Sequence, residues 1–116
     1  MARLPGIWDA ILLQDFEWHY LNKELPRINK TYAEAGGYQQ FFVDLADLTI
    51  GSFAVSIELL TPIGSELVVA HAKPTMTMDG ATFQTDAVVV WCIVDGKLAE
   101  AWDIPGVRSA IQQVAD

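Results

Sequence analysis

The stretch DAVVVWCIVDGKLAEAWDIP, residues 86 to 105, decides how the rest of the sequence is read. Val88 to Val94 is an apolar run rich in β-branched residues, the composition of a strand with little contact with water. Asp95-Gly96 follows, a tight-turn pair in which glycine accepts a positive φ. Lys97 to Ile104 returns as a second strand, and Pro105 ends it because proline has no N–H to give to a ladder. Strand alternation then places Ala99, Ala101 and Asp103 on one face, and Leu98, Glu100, Trp102 and Ile104 on the other. Two alanines leading to a carboxylate describe a strand that leaves room beside an acid.

Upstream of this hairpin, Ala81 to Val94 reads as one continuous strand entered through the turn pair Asp79-Gly80. Leu67 to Met78 is a long strand whose Pro74 predicts an edge or a bulge. Phe53 to Leu60 is another, with Phe53, Val55, Ile57 and Leu59 on one side and a turn at Thr61-Pro62 and Gly64. Gly36-Gly37 introduces a helix over Tyr38 to Leu48, whose stripe is Phe41, Phe42, Leu45 and Leu48, with Tyr38 a turn earlier. Asn22 to Thr31 is a polar loop. Asp15 to Tyr20 alternates, with Phe16, Trp18 and Tyr20 opposite Glu17 and His19, and reads as the first strand. Leu4 to Gln14, opened by Pro5, predicts a short amphipathic helix, and Val107, Ile111 and Val114 predict a terminal one. Helix, strand, helix and then four long strands in a meander give a single α+β domain over residues 1 to 116. Its helices pack on the concave face of a strongly curved antiparallel sheet. Such a sheet encloses a conical hollow, the usual shape of a small-molecule site.

Bulk composition narrows the function. The chain has 116 residues, is 52% hydrophobic and 19% charged, and carries a net charge of −8, so it is globular rather than disordered. Its seven lysines and arginines are scattered, which removes the electrostatic footprint of a nucleic-acid binder and predicts repulsion from anionic membranes. No stretch approaches the roughly 18 apolar residues of a membrane span, and Pro5, Gly6 and Asp9 interrupt any leader-like run. The single cysteine, Cys92, lies inside the apolar run and reads as a core residue in a reducing, cytoplasmic setting. No H-x-x-x-H or C-x-x-C occurs, so no metal and no cofactor are expected, and neither phosphate-cradling glycines nor a Gly-x-Ser-x-Gly elbow is present.

The segment VVVWCIVDGKLAEAWDIP resembles the closing hairpin of SnoaL-like proteins in the NTF2-like superfamily, cone-shaped α+β barrels that show an apolar strand, a D-G-K turn and an E-H-W-D-like strand. DFEWHYL, residues 15 to 21, is similar to that family's first strand, and the helix from Gly37 to Leu48 to its next helix. Members usually carry two helices before the first strand, where this sequence has a shortened lead. In the polyketide cyclases to which the resemblance points, the aspartate of H-W-D is the general acid/base and the histidine assists it. Here the motif is Ala101-Trp102-Asp103, so Asp103 takes the acid/base role by position and the assisting histidine is missing. Limonene-epoxide-hydrolase-like relatives carry an arginine and an aspartate on the strand that holds His71 and Lys73 here, so hydrolysis by their mechanism is not expected.

The catalytic candidates are therefore Asp103, His19 and His71. An apolar hollow would raise the Asp103 pKa toward neutrality, and either histidine could relay its proton. For each there is a plain alternative: a solvated acid at a strand end, or a histidine that simply satisfies its neighbours. Tyr20, Tyr32 and Tyr38 could each polarise a carbonyl, and local spacing selects none of them. The expected ligand-facing residues are Trp18, Tyr38, Phe42, Trp91 and Ala101. Two functions remain open: a small-molecule enzyme of isomerase, cyclase or hydrolase type, or a non-catalytic module that binds a small hydrophobic ligand. Trp102 and its neighbours on the opposite face predict a homodimer through the sheet.

Overall fold

A computed structural model of the chain describes residues 10–23, 25–106 and 112–113. Its elements are β1 (Leu12–Tyr20), β2 (Thr31–Ala33), α1 (Glu34–Thr49), β3 (Ala54–Ile63), β4 (Leu67–Met78), β5 (Ala81–Gln84), β6 (Ala87–Val94), β7 (Lys97–Pro105) and β8 (Gln112–Gln113). The strands form one curved sheet in the order β2-β1-β7-β6-β4-β5-β8, with β3 paired to β4. The helix covers its inner face, so the expected α+β architecture is present.

The expected hairpin of residues 86–105 forms β6 and β7, turning at Asp95 and Gly96 with φ of 52° and 78°. One detail of its alternation changes. A bulge between Cys92 and Ile93 opposes Leu98 to Ile93 and Glu100 to Cys92, and Leu98 packs against the core instead of sharing the outer face with Glu100. The sheet is also mixed rather than purely antiparallel, because β1 lies parallel to β7. Local pattern carries no information about strand direction between segments so far apart in sequence.

The expected single strand from Ala81 to Val94 is two. β4 explains the break: Leu67 to Ala72 pair with β6, and Thr75 to Met78 pair with β5. Pro74, which lacks an N–H, sits where the partner changes, and its carbonyl accepts a bond from the Thr85 N–H at 3.2 Å. β3 runs three residues beyond the expected Leu60, to Ile63, and all ten of its residues are exposed.

The helix begins earlier than expected, at Glu34, and takes both glycines into its first turns. Gly37 is needed there for room, since a Cβ would lie 3.2 Å from the Tyr32 carbonyl carbon. The buried stripe is Tyr38, Phe41, Leu45 and Thr49, at spacings of three, four and four. That phase turns Phe42 away, leaving it 43% exposed. Phe41 is the centre of the core, with ring centroids 4.9 Å from Tyr20, 5.3 Å from Tyr32 and 5.4 Å from Trp18.

Both terminal expectations are revised where residues are described. Ala10 and Ile11 are helical, but Leu12 to Gln14 already belong to β1, so the first helix does not reach Gln14. Gln112 and Gln113 pair with Gln84 and Phe83 as a short strand, not as part of a helix. The remainder of both expected helices lies outside the described residues.

Candidate functional site

Asp103 is directly paired with Tyr20 of β1 and with Val89 of β6. Paired residues point to the same side of a sheet, and Tyr20 and Val89 are both core residues beneath the helix. The carboxylate therefore lies on the inner face, at the border of the core, where its residue remains partly accessible. Its backbone carbonyl accepts a bond from the Leu21 N–H at 3.0 Å, which fixes the strand at that point. Loss of hydration disfavours the charged form and pushes the Asp103 pKa from 3.8 up to about 7.

Two tyrosines feel this carboxylate. Burial, reinforced by the Asp103 charge, pushes Tyr20 up to about 12, although a hydrogen bond from Asn22 Nδ2 at 3.0 Å pulls the other way. Burial and then Asp103 also raise Tyr38. Both phenols stay protonated over the working range, so they can donate a hydrogen bond but cannot serve as bases. Tyr32 stands apart, donating to Asp44 Oδ2 at 3.0 Å. The structure thus selects between tyrosines that the sequence left equivalent.

The two histidines are not brought to Asp103. His19 precedes Tyr20 by one residue and so points to the outer face. There its Nδ1 lies 2.7 Å from Thr31 Oγ1, its Nε2 lies 2.6 Å from Glu100 Oε2, and its ring stacks on Trp102 at 5.5 Å. His71 is paired with Val88, which is paired with Ile104, one residue out of phase with Val89 and Asp103. Its Nε2 lies 2.7 Å from Asp86 Oδ1, and that hydrogen bond is the main cause of a lowered Asp86 pKa. Lys73 Nζ sits 3.8 Å from the same oxygen. The expected relay is corrected by parity, because alternation puts both imidazoles on the far side of the sheet.

The five expected ligand-facing residues divide. Ala101 is fully buried, paired on one side with Trp18 and on the other with Trp91, whose rings approach to 5.4 Å. The space beside the Ala101 methyl is therefore flanked by two indoles. Trp18 is 4% exposed and packs against Tyr38 and Phe41, and its buried Nε1 has no hydrogen-bond partner. Trp18 and Ala101 form a packed floor. Tyr38 is buried beside them, whereas Trp91 and Phe42 keep accessible surface.

No protein-family model matches the chain, and no curated protein matches it. Solved structures do. TerC, co-crystallised with polyporic acid, superposes with a TM-score of 0.71 at 21% identity, over 82% of this chain and 73% of that one. An NTF2-like protein of unknown function from Burkholderia pseudomallei gives 0.73 at 16%, over 84% and 74%. A putative SnoaL-like polyketide cyclase from Jannaschia sp. gives 0.68 at 18%, over 84% and 69%. One helix on the inner face of a curved mixed sheet is a cone-shaped α+β architecture. More particularly, this chain has the NTF2-like fold shared with SnoaL-like proteins.

Proposed function

We propose that this protein is a SnoaL-like enzyme of isomerase, cyclase or hydrolase type, acting on a small apolar molecule with Asp103 as its general acid/base. The observation that carries the reading is one carboxylate on the helix-covered face with its pKa near 7. A group so placed can take a proton from carbon or oxygen and return it at neutral pH. Tyr20 and Tyr38, both neutral, can donate to the oxygen on which charge develops. The likeness to TerC and to a putative polyketide cyclase supports a ligand of that general kind. The test is a carbon-13 NMR titration of the Asp103 carboxyl, alone and with polyporic acid as a first probe. An apparent pKa near 7 that moves when the probe binds is expected. A value near the unperturbed 3.9 or so, with no response to the probe, rejects the reading.

The alternative, a non-catalytic module for a small hydrophobic ligand, is favoured by the indoles that flank Ala101 and by the absence of an imidazole beside Asp103. In that case the probe binds while Asp103→Asn leaves its affinity unchanged.

The outer face supports a homodimer through the sheet. Leu59, Ile63, Leu67, Val88 and Ile104 are all exposed on β3, β4, β6 and β7, and pairing places them on one side. Sedimentation equilibrium is expected to give a dimer that Val88→Glu with Ile104→Glu converts to a monomer. A wild-type monomer rejects it. No described helix is long and apolar enough to cross a membrane, and a cytoplasmic location completes the proposal.

A further inference from the structure

We propose that Glu17, His19 and Glu100 form a binding site for a first-row divalent cation of the zinc class on the outer face of the sheet. It lies at the β1–β7 end of the face that also carries the aliphatic patch, and it is independent of the acid/base role of Asp103.

The parallel pairing of β1 with β7 sets Glu17 directly opposite Glu100 and His19 opposite Trp102. Nitrogen and oxygen donors of Glu17, His19 and Glu100 then lie within 4.8 Å of one another. His19 Nε2 is 2.6 Å from Glu100 Oε2 and 3.7 Å from Glu17 Oε1. Ligands held at zinc bond lengths in a tetrahedron stand roughly 3.3 Å apart. Side-chain rotation alone covers the difference, with the strands unmoved. One imidazole and two carboxylates suit zinc better than magnesium or calcium, which favour all-oxygen sets.

Two further features point the same way. Like charges directly opposite on neighbouring strands are unfavourable, and Glu17 and Glu100 share the His19 imidazole, at 3.7 and 2.6 Å, with neither paired to a lysine or arginine among the described residues. A cation between them removes that conflict. The imidazole is also held in advance: Thr31 Oγ1, on β2, engages Nδ1 at 2.7 Å and directs Nε2 toward the carboxylates, while the Trp102 indole supports the ring face. Such a partner on the second ring nitrogen is the usual support of a metal-bound histidine.

The experiment titrates zinc chloride into the full chain, free of any affinity tag, by calorimetry in excess magnesium. One equivalent of zinc per chain is expected to bind. His19→Asn and Glu100→Gln should each weaken binding at least tenfold, and Thr31→Val by about tenfold. Glu17→Gln alters a half-exposed side chain, so its loss of affinity is read on an intact fold, checked by circular dichroism. His71→Ala removes the other imidazole and should change nothing. Absence of saturable zinc binding, binding that survives both Glu17→Gln and Glu100→Gln, or binding abolished by His71→Ala overturns the proposal.

Discussion

Replacing Asp103 with asparagine is expected to make the protein more stable above pH 7 and to leave it unchanged near pH 4. The folded state holds the Asp103 proton up to about 7, whereas the unfolded chain releases it around the ordinary value of 3.8. Between those values the folded state binds more protons than the unfolded one, so wild-type stability falls as pH rises through that window. Above it the full cost of keeping a dehydrated carboxylate remains. At about 1.4 kcal/mol per pH unit the interval sets a ceiling of about 4 kcal/mol, and the polarity of the asparagine amide brings the gain at pH 8 to roughly 2–4 kcal/mol. Urea denaturation of the two proteins at pH 4, 6 and 8 measures it. A difference that widens with pH supports a dehydrated acid; parallel profiles mean that Asp103 is solvated and that the proton-transfer reading fails. The gain in stability is expected to accompany a loss of function, the trade-off seen where an active site is kept strained.

The second large effect is expected at Phe41. Its ring is 2% exposed and contacts Trp18, Tyr20, Tyr32 and Phe42. Phe41→Ala removes those contacts from between helix and sheet and should cost roughly 3–5 kcal/mol, a large share of what a domain of this size has. Phe42→Ala, one residue along on the exposed side, should cost less than about 1 kcal/mol. Denaturant midpoints for the pair test the phase of the helix as well as its packing. Equal losses would contradict the Tyr38-Phe41-Leu45 stripe.

That contrast marks where the sequence was informative. Strand alternation and turn pairs are local properties, and they located the β6–β7 hairpin, the Asp79-Gly80 turn and the side of the sheet that carries Asp103. The helix phase was largely legible: Tyr38, Phe41 and Leu45 are buried and Leu48 packs on the core, but a stripe containing both Phe41 and Phe42 is wider than the sheet beneath it could bury. The Thr85–Asp86 break was hidden because it arises from β4 changing partners at Pro74, not from the residues at the break. The two histidines were misplaced for a different reason. Each was considered with Asp103 as a chemical type, while the parity that separates them depends on which strands pair and in what register. The same limit concealed the Glu17–His19–Glu100 cluster, since a spacing motif detects ligands along one segment and this cluster spans two strands from opposite ends of the sequence. For the tyrosines, the Asp103 charge felt by Tyr20 and Tyr38 and the Tyr32–Asp44 hydrogen bond separate one phenol from another.

The parallel contact between β1 and β7 has a consequence for how the molecule is made. Tyr20 emerges from the ribosome well before Asp103, and their strands cannot join until the intervening polypeptide has been synthesised. Closing so long a loop is entropically slow, and until it closes the Phe16, Trp18 and Tyr20 side chains lack their β7 neighbour. Until that pairing the nascent protein carries an unfinished aromatic surface, and the acid lacks the Tyr20 neighbour that helps to dehydrate it.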